Sequence, residues 1–510
     1  MSFVTRLRVL RRAIKLRWQA RRDTPVENAV RWIKAMQTRS GGLRPCSYSV
    51  STTPEVTGYT IPTLLSLGER EFAHSLARWE MSVQRDDGGF ELCGIPHAFD
   101  TAQVVRGFLS VLDEMPEVEG SLRSACEFVA SHISPDGEVI HDTYDIWRLP
   151  DGSVLSEYGN LYVLPPLVQA AARLGEPEWD DAAIRALERF KARPDLVEFK
   201  PELATLSHYF GYMMEALVEL GETELASRGL EQAVAIQRSD GAIPAFPGAS
   251  WVCSTGIAQL CLPMYRLGWL EPADRAMEWL ERAQNPTGGF YGSYGPGATY
   301  FERREILWAA KFYLDAVLAR IAATFDEDVP LYEEEIDERD PRAQAVIGAV
   351  SALQRPRVLD AGCGKGRYLR ALAQHCPDAE LYGVDISEDM LASCPPEANV
   401  RPGSLLNTGF EGDFFDCVVC VEALEHALLP ENAIREMTRV LRPGGTLLII
   451  DKSSARLGAM SIKPWEQWFN PSELTRMLRA HGHRCSHRPI GHGSEGRNGL
   501  FVLWEGAKGP

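Results

Sequence analysis

The chain has 510 residues, 45% of them hydrophobic and 24% charged, with a formal net charge of −17. This length exceeds what one core sustains and implies about two to four globular domains. The acidity is local: residues 341–510 hold 19 basic and 19 acidic side chains, residues 326–340 hold nine acids and one Arg, and residues 1–22 hold eight basic side chains and no acid, which leaves about −17 on 23–325 and excludes the basic face that general nucleic-acid binding needs.

Residues 1–22 read as a basic amphipathic helix. Phe3, Leu7, Leu10, Ile14 and Trp18 recur at helical spacing, with Arg6, Arg8, Arg11, Arg12 and Lys15 between them. Such a helix either contacts an anionic membrane surface or packs its apolar stripe on the next domain. No signal peptide and no apolar run of spanning length is expected. The eleven cysteines lack a framework spacing and fit a reducing compartment. The expected location is cytoplasmic, free or peripheral on the inner face of the membrane.

Residues 23–325 repeat a turn. QTRSGGL starts at Gln37, QRDDGGF at Gln84, QRSDGAI at Gln237 and QNPTGGF at Gln284, with 47 residues inside each outer pair. A weaker copy, SPDGEV, carries Gly137, and a degenerate one falls near Pro194–Asp195. An apolar-periodic helix enters each turn and a second helix follows it, so about six helix pairs are predicted. This pattern predicts an (α/α)6 toroid, with an open α-solenoid as the alternative. The repeats resemble squalene-cyclase/prenyltransferase toroids and the α/α barrels of glycan-processing lyases, hydrolases and epimerases. The DxDD acid motif of terpene cyclases is absent; Asp180–Asp181 lies on a helix without that spacing. Starts of the inner helices carry Glu55, Tyr59, His97, Asp100, Tyr158, His208, Tyr209 and Trp251. Carboxylates, His, Tyr and Trp converging on one mouth suit carbohydrate binding or acid–base work; the bland alternative is polar helix caps without a ligand.

Residues 326–342 are acidic and poor in apolar side chains, which predicts a linker. From 343 to 510 the pattern changes to α/β alternation. A strand over Arg357–Ala361 leads into Gly362, Cys363, Gly364, Lys365 and Gly366, and a helix begins near Arg367. Strand, glycine turn and helix let backbone amides approach a ligand closely. A second strand ends in Asp385, 25 residues after Asp360. GSLLNTGF, FDCVVCVEALEHA and VLRPGGTLLIID follow in order. Cys417 and Cys420 fall on opposite faces of their strand, against metal or redox use. The five signals resemble a Rossmann-like class I S-adenosylmethionine (SAM)-dependent methyltransferase of the ubiquinone/menaquinone-biosynthesis type. That resemblance implies SAM held by Asp360, Gly362, Cys363, Gly364, Gly366, Ile386, Leu405 and Glu422, with Asp385 on the ribose. Ser404 stands where the family often has the acid that meets the adenine.

Methyl transfer requires alignment, exclusion of water and, for a hydroxyl acceptor, a base. His426 is the candidate base and Glu425 its orienting acid; otherwise His426 caps the next helix or touches the cofactor. Trp465, Trp468 and Phe469 form either an acceptor wall or ordinary packing, and Asn470 is a predicted helix N-cap. His483, His487 and His492 show no repeated ligand spacing, so no metal is expected. The Asn/Asp-Pro-Pro-Tyr signature of base-amine methyltransferases is absent, which favours an oxygen or carbon acceptor. Three readings follow: methylation of a glycan or lipid-linked sugar held by the toroid, a bifunctional enzyme with an epimerase, lyase or hydrolase toroid, and an isoprenoid or quinone methyltransferase.

Overall fold

Helices before residue 322 are of two kinds. One kind buries a single face: Leu270–Ala283 buries Ala273, Ala276, Met277 and Leu280, the i, i+3, i+4, i+7 stripe of a surface helix. The other is buried nearly all round, as in Ala98–Val111, Ser207–Glu219 and Ser254–Arg266. In this computed structural model the described residues are 23–92, 94–140, 159–193, 195–460, 462–491 and 499–509. The basic segment 1–22, Tyr158, Pro194 and His492 lie outside them. The chain forms two units, Met1–Leu65 with Arg70–Ile321, and Ser66–Glu69 with Ala322–Pro510.

The recurring Gln is a bracket. Gln37, Gln84, Gln237 and Gln284 each donate from Nε2 to the carbonyl of the turn glycine four residues on, at 2.9–3.1 Å. Gln84, Gln237 and Gln284 also donate to a carbonyl of another helix or its start, namely those of Ser121, Pro272 and Pro25. Glycine is demanded for space as well as for conformation. Gly241 has φ +94°, and a Cβ there would stand 2.0 Å from the Arg275 carbonyl oxygen. At Gly288 the same atom would meet the Asn28 carbonyl at 2.2 Å. The last repeat therefore packs on the first. Trp32 Nε1 donates to Glu305 at 3.0 Å and Thr63 donates to Asp315 at 2.6 Å, contacts that also link the two ends of this unit.

The acidic stretch is partly helical. Helix Leu307–Asp328 runs into it, Val329–Leu331 makes a short 3-10 turn, and a helix starts at Pro341. Asp340 caps that helix by accepting from the Arg342 N–H at 2.8 Å and pairs with the Arg342 guanidinium; both side chains are buried.

The second unit is built on one mixed sheet. Its strands are β1 (Arg357–Ala361), β2 (Glu380–Asp385), β3 (Asn399–Pro402), β4 (Phe415–Val421), β5 (Leu441–Lys452), β6 (His483–Ile490) and β7 (Phe501–Lys508). Their spatial order is β6-β7-β5-β4-β1-β2-β3. Strands β1 to β5 pair in parallel, while β7 is antiparallel to both β5 and β6. The apolar run 417–421 of β4, all buried, is what a parallel strand covered on both faces requires. The chain winds outward from β1 through β2 and β3, then restarts at β4 on the other side. The crevice beyond the C-terminal ends of β1 and β4 is thus the switch point where such sheets bind ligands.

The bracket predicts a stability order. Gly241→Ala should cost about 2–3 kcal/mol through strain and backbone collision. Gln237→Ala should cost about 1–2 kcal/mol through its lost hydrogen bonds. Denaturant melts of the full chain would check both; a Gly241→Ala protein as stable as wild type would contradict the packing described.

Candidate cofactor and acceptor sites

Three glycines shape the turn after β1. Gly362, Gly364 and Gly366 all have positive φ, at 79°, 52° and 75°. A Cβ on Gly362 would lie 2.4 Å from Ala423 Cβ, and one on Gly366 would lie 2.8 Å from Pro395 Cδ. At Gly364 nothing stands within 4 Å, which leaves its backbone open to a ligand. The Gly364 N–H donates to Asp385 Oδ2 at 2.8 Å, and the Ser387 N–H donates to Oδ1 at 3.1 Å. Burial raises the Asp385 carboxyl above the usual range, with these amides opposing the shift.

Asp360, the next-to-last residue of β1, is fully buried, and its Oδ2 has no partner. Burial pushes its carboxyl up to about 7, with Arg367 opposing and Asp385 adding to the shift. An orphaned buried oxygen beside an open glycine cradle and a second carboxylate fits a polar, positively charged cofactor such as SAM. Cys363 and Cys394 both direct Sγ to the Gly364 carbonyl, and the hydrogen bond between the two thiols holds Cys363 far above its ordinary pKa. Ile386 is half-buried after β2. Leu405 Cδ2 comes within 3.9 Å of the Cβ position at Gly362. Ser404 Oγ accepts from the N–H groups of Leu406 and Asn407 at 3.2 Å, so it closes its own turn. Glu422, at φ 53°, is held by Arg342 and by Arg367 Nη2 at 2.7 Å.

Beyond β4 and β5 lies a charged cluster. His426 Nε2 sits 3.5 Å from Glu425 Oε1, and its buried Nδ1 has no partner. Burial pulls the imidazole down to about 4. Glu425 Oε1 also accepts from Lys452 Nζ at 2.5 Å, and Lys452 reaches Glu466 at 3.2 Å. Asp451 accepts from the Glu425 N–H at 2.9 Å; burial beside Glu425 holds its carboxyl well above the ordinary range. The Phe325 ring meets His426 edge-on at 5.1 Å. Trp468 donates to Glu466 at 2.6 Å under Lys452, whose ammonium is 5.7 Å from the indole. Phe469 pairs by backbone with Ser453, and Asn470 caps Pro471–Ala480 by accepting from Ser472 and Glu473. His483 and His487 each bond a threonine hydroxyl, of Thr438 and Thr475, at 2.8 Å.

In the helical unit, Glu55, Tyr59, Asp100, His208 and Tyr209 come together. Burial and the neighbouring Asp100 hold the Glu55 carboxyl well above its ordinary range, and burial pushes Asp100 up to about 7. Tyr59 feels both carboxylates. The His208 ring lies 4.5 Å from Tyr212, 5.3 Å from Tyr209 and 6.1 Å from Tyr300. Its Nδ1 pairs with Gln259 Oε1 at 2.8 Å, and Gln259 donates on to Glu215 at 3.1 Å. His97 is buried at the N-cap of the Asp100 helix. Trp251 packs edge-on against Phe246 at 5.9 Å and joins the tyrosine group by no ring contact among the described residues.

Several residues here carried no sequence signal of their own. Asp451 ends the LRPGGTLLIID motif, but its pairing with Glu425 depends on the register of β4 against β5. Lys452 and Glu466 are single charges whose meaning appears only when folding buries them. Tyr162 lies in the 3-10 turn Asn160–Val163 that leads into a helix, Tyr212 inside Ser207–Glu219 and Tyr300 outside any helix, and none is set apart by spacing.

A methyltransferase-domain family model matches residues 359–449. The ubiquinone biosynthesis O-methyltransferase of Methylococcus capsulatus is 34% identical over 169 residues, which are 28% of this chain and 69% of that protein. Trans-aconitate 2-methyltransferase of Variovorax paradoxus is 32% identical over 127 residues, 24% of this chain and 49% of that protein. A solved SAM-dependent methyltransferase from Thermotoga maritima aligns at 22% identity and TM-score 0.31, over 37% of this chain and 99% of its own.

Asp385→Ala should weaken SAM binding about 10- to 100-fold in isothermal titration, the loss of hydrogen bonds to a charged group. Unchanged affinity would overturn the ribose role. The glycine cradle, the carboxylates of β1 and β2, the family model and the Methylococcus capsulatus relative agree: through its C-terminal unit the chain belongs to the class I SAM-dependent methyltransferases.

Proposed function

We propose that this methyltransferase acts on a hydroxyl of a glycan or lipid-linked sugar, and that the helical unit is an (α/α)6 toroid that recognises the acceptor. The observation carrying this reading is the meeting of Glu55 and Asp100 with Tyr59, Tyr209 and Tyr300 inside that unit. Carboxylates and phenols supply hydrogen bonds, and their rings supply stacking faces, for a hydroxyl-rich ring. An isoprenoid chain calls for an apolar lining instead. The contacts between the first and last repeats support a closed ring. The eight basic side chains of residues 1–22 supply charge for an anionic lipid surface, which suits a lipid-linked acceptor. No helix among the described residues is long and apolar enough to cross a membrane.

Bound SAM supplies an electrophilic sulfonium methyl. Gly364 presents an open backbone, Asp385 the acceptors for the ribose, and Asp360 a buried oxygen near the cradle. In our reading His426 takes the acceptor's hydroxyl proton on Nδ1. Glu425, beside Nε2, favours the tautomer with its N–H there and leaves the Nδ1 lone pair free. Lys452 fixes Glu425, and Phe325 covers the imidazole. Burial keeps His426 neutral, so it remains a base at pH values where a solvated imidazole would be protonated.

His426→Asn should lower kcat about 10²- to 10⁴-fold while leaving SAM affinity intact. Since the active form is unprotonated and its pKa is lowered to about 4, the wild-type rate should hold down to about pH 5 and fall only near pH 4. An acid limb near pH 6.5 would remove His426 from this role. Labelled SAM with lipid-linked sugars, nucleotide sugars and a quinone precursor tests the acceptor; label entering only the quinone precursor would overturn the glycan reading.

A further inference from the structure

The acids buried in the helical unit differ in how their charge is balanced. Glu219 is met by Arg106 at 2.9 Å and by Arg266 at 3.2 Å. Asp315 is met by Lys311 at 2.7 Å. Glu215 takes a hydrogen bond from Gln259 and lies in the field of Lys311, Arg266 and Arg106. Glu80, fully buried with neither oxygen partnered, stands alone. Glu55 and Asp100 also lack a cation but face each other among aromatic rings. The only charged group that shifts Glu55 is Asp100, and no cation shifts either carboxyl.

Their side chains stand on the first turns of two helices, Pro54–Gly58 and Ala98–Val111, which pack against each other. Asp100 is 1% exposed and neither of its oxygens has a partner. The Tyr59 hydroxyl, on a residue that is also 1% exposed, has none either. Around them are π faces: Glu55 acts electrostatically on Tyr59, Tyr209, Tyr212 and Tyr300. Lys311 Nζ already stands 5.0 Å from the Tyr59 ring and 3.9 Å from the Phe312 ring, whereas Tyr209, Tyr212 and Tyr300 meet no cation among the described residues. Buried, unpaired carboxylates are costly unless something neutralises them. Aromatic faces add attraction for a cation and not for an anion.

We propose that Glu55 and Asp100 form the anionic pole of a binding site for an organic cation, a protonated amine carried on the acceptor. This rests on the reading of the helical unit as the part that recognises the acceptor, and narrows the acceptor to an amine-bearing one such as an amino sugar. Both carboxylates lie within the field of the incoming ammonium, which replaces the missing counter-charge. The tyrosine rings cover its alkyl or ring carbons, and the Tyr59 hydroxyl is left to bond a neighbouring oxygen. Without a cation the pair is neutralised by protons, since burial raises both carboxyls; an ammonium displaces a proton that a neutral sugar leaves in place.

Isothermal titration of the full-length enzyme with glucosamine, N-acetylglucosamine and tetramethylammonium tests this. Glucosamine should bind at least tenfold more tightly than its N-acetyl form, and tetramethylammonium should bind without any sugar present. Asp100→Asn and Glu55→Gln should each weaken both cations at least tenfold, with SAM affinity as the control that the chain is folded. Equal binding of glucosamine and N-acetylglucosamine, or failure of both cations to bind the wild-type enzyme, overturns the proposal. The two readings fail separately. Tetramethylammonium binding alongside no methylation of any sugar keeps the cation site and removes the glycan acceptor. Methylation of a neutral sugar that binds as well as its amine does the reverse.

Discussion

The hydrogen bond from the Gly364 N–H to Asp385, 2.8 Å long, joins the loop after β1 to the end of β2. It exists only because the backbone at 362–366 passes through three left-handed positions, which aim an amide at the next strand. The Gly362 and Cys363 N–H groups bond the Val384 carbonyl at 2.8 and 3.1 Å and fix the loop's height over the sheet. The parallel register of β1 with β2, Ala361 opposite Val384, puts both strand ends at one level. The cofactor cradle is therefore a property of the sheet, and its carboxylates stay buried because strands cover them from both sides.

The helical unit solves a different problem with one repeated device. Each Gln ties down its own turn, and in three of the four turns it also holds another helix or its start. Gly88, Gly241 and Gly288 have room for no side chain because a carbonyl of a neighbouring helix occupies that space, and at Gly41 the Trp79 side chain does so. A turn and an interhelical contact are thus a single structure, and the sequence repeats it as a unit. Where Gln is missing the contact persists by other means. Gly137 still lies against the Arg185 carbonyl, where a Cβ would come within 2.3 Å, and Gln232 reaches back to the Val197 carbonyl at 2.7 Å.

This explains what was legible before any coordinates. Glycines, strand-end acids and the Gln turns are local signals, since each is forced by the backbone conformation of a few residues. The Rossmann-like α/β alternation followed from the order of such signals, while the antiparallel pairing of β7 with β5 and β6 carried none. Partnerships between distant residues were not legible. Glu422 reads in sequence as a cofactor ligand; its pairing with Arg342 and Arg367 depends on two helices whose arginines lie 80 and 55 residues earlier in the chain. Ser404 reads as an adenine contact, yet its oxygen already accepts two turn amides. The acidic stretch reads as a linker with part of it helical, and Leu307–Asp328 extends into it, but exposed acids carry no periodic apolar signal that would mark where the helix ends.

The two carboxylate pairs show how burial converts similar chemistry into different tasks. Glu425 and Asp451 share their surroundings with Lys452, which contacts Glu425 at 2.5 Å, and with backbone amides. That set is compensated from within the chain, so it can hold a neighbouring imidazole steady without needing a ligand. Glu55 and Asp100 lack a cation and lack donors for both oxygens of Asp100. A group left in that condition is stable only when other contacts outweigh its cost or when a ligand completes it. The surrounding helices, fixed by the Gln brackets, provide contacts of the first kind. The choice of phenol-bearing rings around the pair, rather than the aliphatic side chains that would fill the same volume, argues for the second.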